Sequence, residues 1–191
     1  MKKLSLSFIT VFLIPGLVQA HELGHGGGFT SGLSHPVLGL DHLLAMLAVG
    51  ILSAQIGGRA VWSVPTAFVG VMLIGGLMGM NGVPFFSVEL GIALSVLVLG
   101  IALAAEKKLP TYLAMLAVGF FAIFHGHAHG TEMPEMGEPV FYAVGFVIGT
   151  ALIHFSGVSV GVIAQNFSKG PQFLRYLGAG IAGIGFHLIV L

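Results

Sequence analysis

The sequence predicts an all-α membrane protein: a polytopic bundle of six transmembrane helices following a cleaved signal peptide. Composition carries most of that expectation. Hydrophobic residues make up 56% of the 191 and charged residues 7%, with a mean hydropathy of +1.02, whereas an average soluble domain carries about 25% charged residues. The apolar residues also come in runs long enough to cross a bilayer, and almost all the charges fall between or at the ends of the runs.

The same composition excludes other classes. Seven Lys and Arg balance seven Asp and Glu, and they form no basic patch that would recognise nucleic acid. The chain has no cysteine, so disulfides, thiolate zinc sites and iron-sulfur clusters are ruled out. Any metal must be held by His, Asp, Glu or Met.

Taken in order, residues 1–20 read as a secretory signal peptide. Lys2 and Lys3 supply the basic start, residues 4–17 the apolar centre, and Val18-Gln19-Ala20 a small-residue cleavage site. Cleavage would make His21 the first residue and leave five basic residues against seven acids, a formal charge of −2. Residues 21–34 (His21-Glu22-Leu23-Gly24-His25-Gly26-Gly27-Gly28 and onward) read as an exposed, His- and Gly-rich tail. There the α-amine and imidazole of His21, with His25, offer a possible chelate.

The membrane domain, 35–191, holds apolar segments at 37–56, 60–78, 85–105, 111–124, 140–164 and 173–191, each able to cross a hydrocarbon core of about 30 Å when adjoining residues are counted for the shortest. Arg59, Lys107, Lys108, Lys169 and Arg175 all fall on alternate connections. Under the positive-inside rule this puts both ends of the mature chain on the outer side of a bacterial inner membrane. The heptapeptide Leu-Ala-Met-Leu-Ala-Val-Gly occurs at 44–50 and again at 113–119, which suggests an inverted three-helix repeat of the kind seen in secondary transporters. Glycines spaced as in Gly75-Gly76-x-x-Gly79 and Gly145-x-x-x-Gly149 are expected to let helices pack closely. Met46, Met72, Met78 and Met115 read as apolar filling.

Two clusters break the apolar pattern. His35-Pro36-Val37-Leu38-Gly39-Leu40-Asp41-His42 opens the first span, and His125-Gly126-His127-Ala128-His129-Gly130-Thr131-Glu132 follows the fourth. If the fourth helix continues, His125, His129 and Glu132 lie within about 40° of one face at roughly 100° per residue. His127 then points about 160° away from His125. Opposite-running spans would bring both clusters to the outer leaflet, where Glu89 opens the third span and His187 ends the sixth. His154 falls near mid-membrane. Imidazole and carboxylate without thiolate suit nickel, cobalt or zinc rather than magnesium or calcium. The plainer account is a hydrated interfacial histidine cluster, with Asp41 favoured by a helix N-terminus whose first turn Pro36 sets.

These two motifs, His35-x5-Asp41-His42 and Phe124-His125-Gly-x-Ala128-His129-Gly-x-Glu132, closely resemble those of the HupE/UreJ family, bacterial membrane proteins associated with hydrogenase and urease. The resemblance extends over the whole chain. It implies a nickel or cobalt permease whose functional positions are His35, Asp41, His42, His125, His129 and Glu132. His127 sits at a variable motif position; with His21, His25 and Glu89 it is a weaker metal candidate. No organic cofactor is implied; the partners are the divalent ion and the lipid bilayer.

No Gly-x4-Gly-Lys-Ser/Thr loop occurs, so neither ATP use nor an ATPase partner is evident. Competing readings are an intramembrane zinc hydrolase with Glu132 activating water, a serine protease built on Ser156 and His187, and a metal-binding accessory protein that does not transport.

Overall fold

The computed structural model describes residues 28–106, 109–133 and 138–191, which form seven helices and no strand. Residues 1–20, read as a signal peptide, and His21, His25, Lys107 and Lys108 lie outside the described residues. The helices are α1 (Gly28–Leu38), α2 (Leu40–Ile56), α3 (Ala60–Met80), α4 (Val88–Ala105), α5 (Thr111–Thr131), α6 (Pro139–Gln165) and α7 (Gly170–Val190). Five of them, α3 to α7, are long and apolar enough to cross a membrane, and α1 with α2 makes a sixth span if the bent pair is counted as one.

Residues that cannot continue a helix set the boundaries. Gly57 and Gly58, both at positive φ, close α2 and turn the chain into α3, a geometry that would strain a residue with a Cβ. Pro110 precedes α5, and Pro139 and Pro171 stand in the first turns of α6 and α7, where the missing N–H costs no helical hydrogen bond.

The first span differs from the sequence expectation. Residues 28–34, read as exposed tail, are the first two turns of α1, with Gly32 and Pro36 buried. Packing on one face explains the order: Gly32, Gly145 and Gly149 bring the α1 backbone against α6 at Tyr142 and Phe146, while Phe29, Thr30 and Ser34 stay exposed on the other side. Pro36 lies near the C-terminal end of α1, not at the start of a span. Extended Gly39 (φ −92°, ψ 117°) then separates α1 from α2, and the two helices meet at 82°. The fourth span also runs further than its apolar stretch, because α5 continues through all three histidines to Thr131.

Backbone-to-backbone contacts at glycine organise the bundle. A Cβ on Gly126 would collide with the Met72 carbonyl, on Gly79 with the His127 carbonyl, and on Gly75 with the Ile123 carbonyl, locking α3 to α5. Gly50 and Gly157 lock α2 to α6, and Gly100 and Gly178 lock α4 to α7. In a bilayer, where lipid is as apolar as leucine, close approach of this kind drives helix association. The main core gathers around α2, where Ala45, Met46, Ala48, Val49 and Ile51 are fully buried, with Phe68 and Met72 from α3 packed against them. The repeated heptapeptide is placed partly alike in its two copies: Ala45 and Ala114, Val49 and Val118, and Gly50 and Gly119 are buried in both, whereas Ala48 is buried in α2 and its counterpart Ala117 is exposed on α5.

Candidate metal site

The break between α1 and α2 positions the first cluster. In one straight helix His35 and His42 would stand about 10 Å apart along the axis. The bend instead lets α1 bring His35 beside Glu132 and His129 at the end of α5, while α2 sets His42 against His129 and His125. From the other side, α5 presents His125 and His129 one turn apart, both buried.

The resulting contacts form a continuous line from surface to interior. Glu132, half exposed at the end of α5, accepts a hydrogen bond from His35 Nε2 at 3.1 Å. That bond holds the Glu132 carboxyl below the usual carboxylate range. The His35 ring meets His129 at 4.8 Å between centroids, His129 meets His42 at 4.3 Å, and His42 meets His125 at 4.7 Å. One ligand atom each from His35, His129 and Glu132 can be chosen with all three within 4.8 Å of one another. Phe146 packs against His129 at 4.3 Å, and Tyr142 and Phe146 both approach His35.

Hydrogen bonds at the far side of two rings decide which nitrogens remain available. Asp41 Oδ1 accepts both from His42 Nδ1, at 2.8 Å, and from the His42 backbone N–H, at 2.7 Å. Nδ1 therefore carries the proton, and the lone pair lies on Nε2, which is buried without a hydrogen-bond partner among the described residues. The Ser95 hydroxyl of α4 lies 2.6 Å from the Ile92 carbonyl and 2.8 Å from His125 Nε2. With one hydroxyl hydrogen, both contacts are hydrogen bonds only if Ser95 donates to Ile92 and accepts from His125 Nε2–H. The His125 lone pair then falls on Nδ1, also without a partner. Neither nitrogen of His129 has one. Leaving a buried polar atom unpaired costs about 1–3 kcal/mol, and several in one cluster form a donor set suited to a cation. A carboxylate or hydroxyl fixing the outer nitrogen of an imidazole is the usual support of a metal-ligating histidine.

The other candidates lie elsewhere. His127 is buried on a different face of α5, bonded through Nε2 to the Val83 carbonyl at 2.8 Å and stacked on Phe85 at 5.5 Å. It ties the α3–α4 connection to α5. Glu89 is exposed in the first turn of α4, and no hydrogen bond or ion pair among the described residues joins it to the cluster. His187 is exposed in the last turn of α7. Exposed Ser156 donates to the Leu152 carbonyl at 2.8 Å, within its own helix. The three α5 histidines are only 0–7% exposed, which does not fit a hydrated interfacial cluster. Sequence reading missed Ser95; a lone serine in an apolar span gives no signal until the fold sets it against His125.

Residues 9–188 match the family described as HupE / UreJ protein. Protein HupE of Rhizobium leguminosarum bv. viciae is 42% identical over 183 residues, covering 95% of this chain and 95% of its own length. No solved structure matches the chain. With nearly its full length matched at both levels, and with a bundle of apolar helices of membrane-spanning length, the chain is a multi-pass membrane protein of the HupE/UreJ family.

Proposed function

We infer that the chain is a permease bringing a divalent transition-metal ion, nickel or cobalt, into the cell for metalloenzymes such as hydrogenase or urease. The observation that carries this reading is the line of His35, His129, His42 and His125, the last three with buried ring nitrogens left unpartnered among the described residues. The carboxylates of Glu132 and Asp41 attach to its outer and inner parts. Imidazole selects borderline ions over hard ones, and two carboxylates offset the ion's two charges. Glu132 and His35 form the mouth; His129, His42 and His125 take the ion as it sheds water, and Asp41 acts on it through His42. The HupE/UreJ family is associated with nickel and cobalt uptake and is not an enzyme family, which weighs against the hydrolase and protease readings.

The orientation proposed from the basic connections puts both ends and this mouth outside. The membrane potential then drives entrance: two charges moved inward across 100 mV gain about 4.6 kcal/mol. Proteoliposomes holding the purified chain, with the interior negative, are expected to accumulate nickel or cobalt but not magnesium, and a reporter fused after Leu191 to read as periplasmic. Magnesium accumulation without nickel, or a cytoplasmic reporter, would overturn the reading.

Asp41→Asn should preserve the fold and the hydrogen bond to His42, since an amide oxygen still accepts from Nδ1–H. Loss of the charge lowers the basicity of the ring, and removing such a supporting partner typically weakens metal binding about 10–100-fold. Competition titration of nickel against a chelator measures it; an unchanged affinity would deny Asp41 this role.

A further inference from the structure

His154 lies outside the cluster just described, on the inner side of it. It sits in α6 about 22 Å from the outer end of that helix at 1.5 Å per residue, is 2% exposed, and has no hydrogen-bond partner at either ring nitrogen among the described residues. One turn before it on the same helix, Thr150 is fully buried and its hydroxyl also lacks a partner. Phe68 of α3 connects this place to the outer cluster, touching His154 at 5.2 Å and His125 at 5.5 Å between ring centroids. A packing histidine in an apolar core normally spends at least one nitrogen on a carbonyl or hydroxyl. Here neither is spent, while the backbone around it is fixed by the close approach of Gly50 and Gly157.

We propose that His154 is a second metal-ligating station near mid-membrane, assisted by the Thr150 hydroxyl, which receives the divalent ion from the His42, His125 and His129 group past the Phe68 ring. Thr150 and His154 are spaced i and i+4, so oxygen and nitrogen donors share one face of α6. The Phe68 ring touches the imidazoles of both stations, so its rotation would open or close the passage between them. A path of this length needs an inner donor, because an ion leaving the outer imidazoles without one would enter an apolar core unliganded.

The proposal rests on the permease reading, and the test separates the two. Full-length protein is purified with His154→Leu, which preserves apolar packing, and with His154→Gln, which keeps a polar side chain of similar reach. Nickel is the probe, in two measurements: ions bound per chain at saturation in detergent, and uptake into proteoliposomes. Both variants are expected to bind one nickel ion fewer than the parent, to keep the parent's affinity at the outer cluster, and to take up nickel about tenfold more slowly or worse. A parent that binds the second ion at His154 but moves none would sink the permease reading and leave the station standing. Either variant eluting as the parent does, with the parent's stoichiometry and uptake, would overturn the station itself.

Discussion

His129→Ala should reduce nickel uptake by a hundredfold or more, since even an indirect partner of a metal ligand is worth about 10–100-fold. His129 is the one imidazole touching both halves of the site: His35 at 4.8 Å on the side of the mouth and His42 at 4.3 Å on the inner side. Both its nitrogens are buried without partners among the described residues. Its removal therefore breaks the line of donors in the middle, where an ion has left bulk water and not yet reached His125. Alanine leaves a cavity beside Phe146 but also removes an unpaired buried polar group, and the second effect offsets part of the cost of the first. His127→Ala, which loses the tie to Val83 and no contact with the site, serves as comparison and should transport better than His129→Ala at equal expression. Equal uptake by His129→Ala and the parent would show that the imidazole line does not carry the ion.

Gly126→Val is expected to have the largest effect on the fold. A Cβ at this position meets the Met72 carbonyl and lies 2.8 Å from the Gly76 backbone nitrogen. Overpacking in a well-filled core typically costs about 1–3 kcal/mol when side chains can give way. Here the obstacle is backbone on a neighbouring helix, so α3 and α5 must separate. Gly75, Gly79 and Gly130 depend on the same approach, and the whole seam opens together. His125 and His129 flank Gly126 on α5, so uptake falls with stability. Gly180→Ala and Gly183→Ala, where an added Cβ meets nothing within 4 Å, should melt within a few degrees of the parent. Thermal unfolding in detergent measures the contrast, and a Gly126→Val melting curve matching that of Gly180→Ala would contradict the packing described.

The chain's class was legible in composition, because a sequence this apolar, with its few charges at connections and in the first turns of helices, has no soluble solution. The two site motifs were legible as well: hydrophobic periodicity places His125 and His129 on one face of a helix wherever that helix lies. Spacing also set His127 on a different face, where the structure puts it against Val83 and Phe85. Less legible was the chain before the first span. Its glycines looked like linker, yet Gly32 is small enough to let α1 settle against α6, and that choice depends on a partner more than a hundred residues away.

What the sequence determined by itself, then, was local: which segments are helical and apolar, and which residues carry donors on a shared face. Tertiary structure alone decided how those donors are used. The 82° break at Gly39 turns His35 and His42, seven residues apart, toward one point at His129. Ser95, from a helix with no motif, selects the free nitrogen of His125. Phe68 places His154 next to a site to which no spacing rule connects it. Periodicity along one helix fixes direction around that helix only; which faces meet, and at what depth, follows from where glycines let two backbones touch.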